Sequence, residues 1–259
     1  MKKLSIVSFN MRLPAEIDGE NYFFNRLPLI KKTVEARKPD LIGLQEVTDA
    51  SRDALAKALP DYTLVGTGRN PDRHGEGVAF LYRKDTLELC EMSCRWLSSE
   101  PFTPGTRYEG SDQSYCPRFM LTALFVPKDA SVSPFRVYNL HTDHVGAEAR
   151  LLASRDLLAA IESDNTLSPL PCVALGDFNA TPDSPEMLCL TAEGSPLRDV
   201  SDKLQITFHC WHKKGYAGVK IDYILVSKEF KHEKTVLWTE AEGNLCLSDH
   251  YPVEATLLL

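Results

Sequence analysis

The sequence predicts an α/β (α+β) sandwich: two β-sheets packed face to face, with helices on the outside. Short β-rich runs alternate with helical patterns almost from end to end, and the two halves share that rhythm without a clear repeat. No segment has the composition of a linker or a low-complexity tract. A chain of 259 residues can bury roughly three quarters of its unfolded surface, so residues 1–259 are expected to form a single domain.

Residues 4–9 read as the first strand, because the apolar run is too short before Asn10 and Arg12 to be a signal segment. Leu27, Ile30 and Val34 recur at helical spacing and give a helix over 26–37. Pro39 and Asp40 break into a buried strand, 41–44, that ends at Gln45 and Glu46. Thr48 or Asp49 can cap a helix with Leu55 and Leu59 facing inward, closed by Pro60. Strands dominate 62–96, among them 77–82 and the stretch around 87–89, and read as antiparallel. Residues 98–118, rich in Pro, Gly, Ser and Thr, form the longest loop, expected to overhang a functional site.

The second half brings strands at 119–126 and 135–140, then a helix near 147–162 with Ala147, Leu151, Leu158 and Ile161 as its apolar stripe. A strand at 171–176 follows, and Ser184 before Pro185 marks the start of a short helix. Further strands are expected over 221–226, 235–238 and 253–258.

Composition narrows the function. Acidic residues outnumber basic ones by 36 to 29, for a formal charge of −7, and no block of Lys or Arg breaks the pattern. That opposes avid, sequence-blind binding to long nucleic acid, which rests on neutralising many phosphates. A small phosphorylated substrate is compatible with it. No run of 18 apolar residues occurs, so no membrane span is expected. The seven cysteines are scattered, without a C-x-x-C pair, as in a reduced cytoplasmic protein.

Polar residues collect where the apolar strands end: Asn10, Glu46, the group His141, Asp143 and His144, the pair Asp177 and Asn179, Asp222, and the pair Asp249 and His250. A strand running into Gly-Asp-x-Asn puts Asp177 and Asn179 on one side, two residues apart. The carboxylate can take a proton from an attacking water that the amide orients; the same pair can equally close a turn. Glu46 is a hard-cation ligand or a solvated strand end, and Mg²⁺ needs only one or two carboxylates besides waters and phosphate. Beside a buried Asp222, His250 would be held in one tautomer. His141 with Asp143 on the same side would be a donor with its orienting group. A binuclear zinc site of the H-x-H-x-D-H kind is disfavoured, because Asn139 stands where its first histidine belongs. The cluster at 209–212 lacks a partner pair for zinc and reads as a loop feature.

Taken together, Ser-Phe-Asn-Met-Arg at 8–12, Gly-Leu-Gln-Glu-Val at 43–47, Asn-Leu-His at 139–141, Gly-Asp-Phe-Asn at 176–179, Ile-Asp-Tyr-Ile at 221–224 and Ser-Asp-His-Tyr-Pro-Val at 248–253 resemble the endonuclease/exonuclease/phosphatase superfamily. Finer features, such as Cys-Pro-Arg at 116–118, are similar to a bacterial group of small hydrolases within it. The resemblance implies a DNase-I-like four-layer sandwich, with two mixed sheets flanked by helices. It implies Glu46 as principal Mg²⁺ ligand, with Asn10 and Asp249 close to the same metal, and Mn²⁺ able to substitute. It further implies that Asp177 activates water beside Asn179, that His250 oriented by Asp222 supports the scissile phosphate, and that His141 acts from the opposite side.

Arg12, Arg26 and Arg118 are candidate phosphate contacts, a surface ion pair being the other reading of each. Asp143, His144 and His209 complete the expected substrate contacts. The implied activity is hydrolysis of a phosphoester in a small or lipid-derived substrate by a monomer. A DNA nuclease of the exonuclease III kind is the alternative, opposed by the −7 charge. A non-catalytic binding module is opposed by the presence of every key polar residue.

Overall fold

The computed structural model describes residues 2–259. The first part of the chain runs β1 (Lys3–Asn10), α1 (Phe23–Arg37), β2 (Leu41–Val47), α2 (Asp49–Ala58), β3 (Tyr62–Gly68), β4 (Gly77–Arg83) and β5 (Leu87–Trp96). Next come β6 (Phe119–Pro127), β7 (Phe135–His141), α3 (Ala147–Leu167), β8 (Cys172–Asp177), α4 (Pro185–Thr191) and β9 (Arg198–Asp199). The chain ends with β10 (Asp222–Val226), β11 (Lys231–Leu237), the small hairpin β12 (Ala241–Glu242) and β13 (Leu245–Cys246), and β14 (Val253–Leu258).

Two six-stranded sheets result, in the orders β11-β14-β1-β2-β4-β3 and β5-β6-β7-β8-β10-β9. Both are mixed: β1 with β2 and β7 with β8 are parallel, and the other pairs antiparallel. A parallel pair needs a crossover connection, supplied by α1 in the first sheet and α3 in the second. Strand β5 therefore leaves its neighbours β3 and β4 and opens the second sheet against β6.

Alternation along the strands sorts the core into three layers. Leu4 and Ile6 of β1, Val78 and Phe80 of β4, Val137 of β7, Val173 and Leu175 of β8 and Ile224 of β10 meet between the sheets. Their neighbours Val7, Phe9, Ile42 and Leu44 point the other way, under α1 and α2. Tyr138, Leu140, Ala174 and Leu225 do the same under α3 and α4. The four-layer sandwich follows from that pattern.

The helices are specified locally. Thr48 and Ser51 form a capping box for α2, and Ser184 caps α4 with Pro185 in its first turn. Gly146 offers α3 no capping side chain; Asp112, from the long loop, instead accepts the N–H groups of Glu148 and Ala149. Helix α3 runs on to Leu167, and its buried face is Ala149, Ala153, Leu157, Ala160 and Ile161. The expected stripe is thus rotated: Ala147 is exposed and Leu151 half-buried. Alanines make up most of the buried face, and Leu151 and Leu158 lie at its half-buried margin.

A polar tie lies between the sheets. Asn139, fully buried in β7, donates to the carbonyls of Leu44 and Ala79 at 3.0 and 2.9 Å and accepts from Gln45 at 2.8 Å. The residue that stands where a zinc ligand would be required bonds one sheet to the other.

Candidate active site

The alternation that fills the core also builds the site. Asn10 continues the inward phase of Leu4 and Ile6, His141 that of Phe135 and Val137, Asp177 that of Val173 and Leu175, and Asp222 that of Ile224. At one end of the sandwich the inward positions turn from apolar to polar. The intersheet layer ends there in carboxylates and imidazoles.

Asp177 is the centre. Its Oδ2 accepts from Asn10 Nδ2 at 2.9 Å and lies 3.6 Å from His141 Nε2 and 3.9 Å from His250 Nε2. Its Oδ1 accepts the Asn179 N–H at 2.9 Å. Asn179 itself is left-handed, at φ +47°, and its side chain donates to Thr142 O. The turn reading and the site reading of that pair are therefore both true. Burial, and then the charge of Asp222, push the Asp177 carboxyl up to about 7.

His250 Nδ1 meets Asp222 Oδ2 at 2.9 Å, so Nε2 faces Asp177. Burial alone would lower its proton affinity, but the charge of Asp222 and its hydrogen bond outweigh that and raise it to about 10. His141 goes the other way. Burial, followed by the charges of Arg118 and Arg69, holds it well below the ordinary 6.5. Glu76 Oε1 lies 3.6 Å from His141 Nδ1 but also accepts from Arg69 at 2.8 Å and faces Arg118 at 3.5 Å. Two guanidiniums draw on the Glu76 carboxylate that faces Nδ1.

Glu46 reaches the site through a bulge. Even-numbered positions of β2 point outward, but the register slips between Leu44 and Val47 and Glu46 adopts φ +59°. For a residue with a side chain this costs of order 1–3 kcal/mol and brings its carboxylate back to the mouth. There Oε1 accepts from Asn10 at 3.1 Å and Oε2 from the Leu13 N–H at 2.9 Å. Arg12 is paired to Asp18 at 2.9 Å and stands 4.0 Å from both Glu46 and Asp249. Burial raises the Asp249 carboxyl above its usual range, with Glu46 adding to the effect.

Two expectations need correction. Arg26 is no phosphate contact: it is 0 % exposed, and its guanidinium donates to the carbonyls of Asn21, Met11, Leu247 and Arg12. Asp143 does not orient His141; its carboxylate is occupied by Ser114 and by the N–H groups of Val145 and Gly146. That bond ties the 98–118 loop to the site. Asn10 presents its amide nitrogen to Glu46 and Asp177 while its oxygen accepts the Arg12 N–H, so it sits between the two carboxylates. His209 is lowered to about 4 by burial and then by His212 and His250.

Arg118 is 5 % exposed and donates to His144 Nδ1 at 3.2 Å, which places both on the His141 side. Glu76 and Arg69 were not foreseen. Glu76 stands two residues before Val78, in phase with the inward face of β4, and that phase was its readable signal.

The family described as Endonuclease/Exonuclease/phosphatase family matches residues 7–250. An endonuclease/exonuclease/phosphatase of Bacteroides vulgatus has a similar structure, with TM-score 0.91, 28 % identity and 100 % of each chain covered. So does a mannosyl-6-phosphatase of Bacteroides thetaiotaomicron, with TM-score 0.88, 26 % identity, and 99 % of this chain and 100 % of that one covered. TDP2 of D. rerio, solved with a single strand DNA product, shares the fold at 16 % identity and TM-score 0.73, with 100 % of each chain covered. None of the curated proteins matches the chain.

Proposed function

Because the chain belongs to the endonuclease/exonuclease/phosphatase family, we propose that it is a divalent-metal-dependent hydrolase of phosphoester bonds, using Mg²⁺ with Mn²⁺ able to replace it. The observation that carries this reading is the convergence of Asn10 of β1, His141 of β7 and His250, just before β14, on one oxygen of Asp177.

The donor set fits a hard cation. Glu46 and Asp249 are oxygen donors, and their neighbourhood concentrates carboxylate charge, with Arg12 standing 4.0 Å from each. Glu46, with Asp249 beside it, would hold the ion, which when bound polarises a phosphoryl oxygen. The buried trio Asp177, Asp222 and His250 is less suited to that task, because Asp222 already occupies His250 Nδ1.

In the proposed reaction Asp177 accepts a proton from the attacking water, held in place by Asn10 and by the Asn179 N–H. His250, charged through Asp222, donates from Nε2 to a phosphoryl oxygen and offsets the growing negative charge. His141, kept neutral, bounds the opposite side, and Arg12 meets the phosphate at the mouth. The enzyme is read as one domain, monomeric and cytoplasmic, its seven cysteines being free thiols. Its substrate is a phosphorylated small or lipid-derived compound. Among the described residues no helix is long and apolar enough to cross a membrane.

Hydrolysis of p-nitrophenyl phosphate and bis-p-nitrophenyl phosphate with Mg²⁺, Mn²⁺ or EDTA tests the reading. Turnover of at least one ester that EDTA abolishes is expected. No turnover of either, nor of plasmid DNA, would make the protein a binding module.

A further inference from the structure

Residues 12–22 lead from β1 into α1 and pass the mouth of the site where Glu46 and Asp249 stand. Arg12 opens the segment in the left-handed conformation, at φ +53°, with its N–H donated to Asn10 Oδ1 at 3.0 Å and its carbonyl accepting from Arg26 at 2.9 Å. The backbone at Arg12 is held from both sides. Such a conformation costs a residue with a side chain of order 1–3 kcal/mol and persists only where the surroundings impose it.

The Arg12 guanidinium makes its hydrogen bonds away from the site. Nε and Nη2 donate to Asp18 Oδ2 and Oδ1 at 2.9 and 3.2 Å, a two-pronged pair, whereas Glu46 Oε2 and Asp249 Oδ2 each remain 4.0 Å from it. Asp18 lies on a 3₁₀ turn, Glu16–Asn21, with its side chain only 6 % exposed although the neighbouring Ile17 is 90 % exposed. Gly19 follows at φ +56° and ψ −117°, which glycine adopts without steric cost. Asn21 anchors the end of the turn: its Oδ1 accepts the Cys246 N–H at 3.0 Å and its carbonyl accepts from Arg26 Nε at 2.6 Å. Asp18 is therefore presented to Arg12 by a tethered segment.

We infer that Asp18 is a positioning residue for the cation site: by occupying Arg12 it keeps that guanidinium from pairing with Glu46 and Asp249, so that both carboxylates stay open to a divalent ion. The inference rests on Glu46 and Asp249 holding that ion. The hydrogen bonds these two carboxylates accept come from neutral groups, the Asn10 amide and the Leu13 N–H on Glu46 and Ser248 Oγ on Asp249, which leave their charge in place. A separation of 4.0 Å exceeds hydrogen-bonding reach by only about 1 Å, a gap that rotation of a released arginine side chain would close. Arginine stays charged at any working pH, so a freed Arg12 would compete with the ion for the same oxygens.

Mn²⁺ affinity, read from the electron paramagnetic resonance of the free ion, tests this without turnover. Asp18→Asn is expected to weaken Mn²⁺ binding about tenfold, because Arg12 is released toward Glu46 and Asp249. Asp18→Ala removes the acceptor altogether and should weaken it at least as much. In an Arg12→Gln background, Asp18→Asn should cost no more than about twofold, since no guanidinium is left to release. Equal losses in the two backgrounds would overturn the inference, Asp18 then acting through its own charge, and so would unchanged affinity in both single variants at Asp18. Either result leaves the metal-dependent reading standing. A native protein that binds no Mn²⁺ would sink that reading and this inference with it.

Discussion

His250 and His141 are the same side chain, 5 % and 7 % exposed, on either side of the same carboxylate, yet their charges differ. Burial disfavours the imidazolium of each. His250 faces Asp222, which no Lys or Arg engages, whereas the Glu76 beside His141 is shared with Arg69 and Arg118. With burial common to both, the difference between them follows the charges around the partner carboxylate. A charged donor and a neutral one are thereby fixed around Asp177.

The comparison can be broken most directly at its ends. Asp177→Asn or His250→Ala should reduce hydrolysis by about 10²–10⁴-fold with far-ultraviolet circular dichroism unchanged, and near-normal rates in either would refute their roles. Next in size, Glu46→Gln should weaken Mg²⁺ binding by about tenfold or more; a calorimetric titration identical to the native one would remove Glu46 as ligand. The pH profile should rise through about 7 as Asp177 loses its proton, and fall near 10 as His250 loses its own. Asp222→Asn removes the charge that raises His250, so the alkaline limb should move to lower pH by about one unit or more. A limb that stays near 10 would detach it from His250. Smallest is Glu76→Gln, expected to change kcat only about two- to fivefold, because its charge is already divided between two arginines. An effect as large as that of Asp222→Asn would show that the two histidines work alike.

Much of this was readable in the chain, for a definite reason. Period-two alternation tells which residues share the intersheet layer, and polar residues in phase with it can only gather at its end. Asn10, His141, Asp177 and Asp222 follow that rule. Glu46 does not, since its phase points outward and only the left-handed bulge returns it. Arg26 sits on a helix with ordinary spacing, and nothing nearby reveals that carbonyls from two distant segments converge on it. Asp143 has the composition of a catalytic group, but Ser114, 29 residues away, claims its oxygens. Such long-range competition for a polar group leaves no local mark.

The Asn139 tie lies beneath all of this. By bonding carbonyls of β2 and β4 from β7, it resists sliding of one half of the protein past the other. The halves contribute Asn10 and Glu46 on one side and His141, Asp177 and Asp222 on the other, so any slippage would pull the reacting groups out of range.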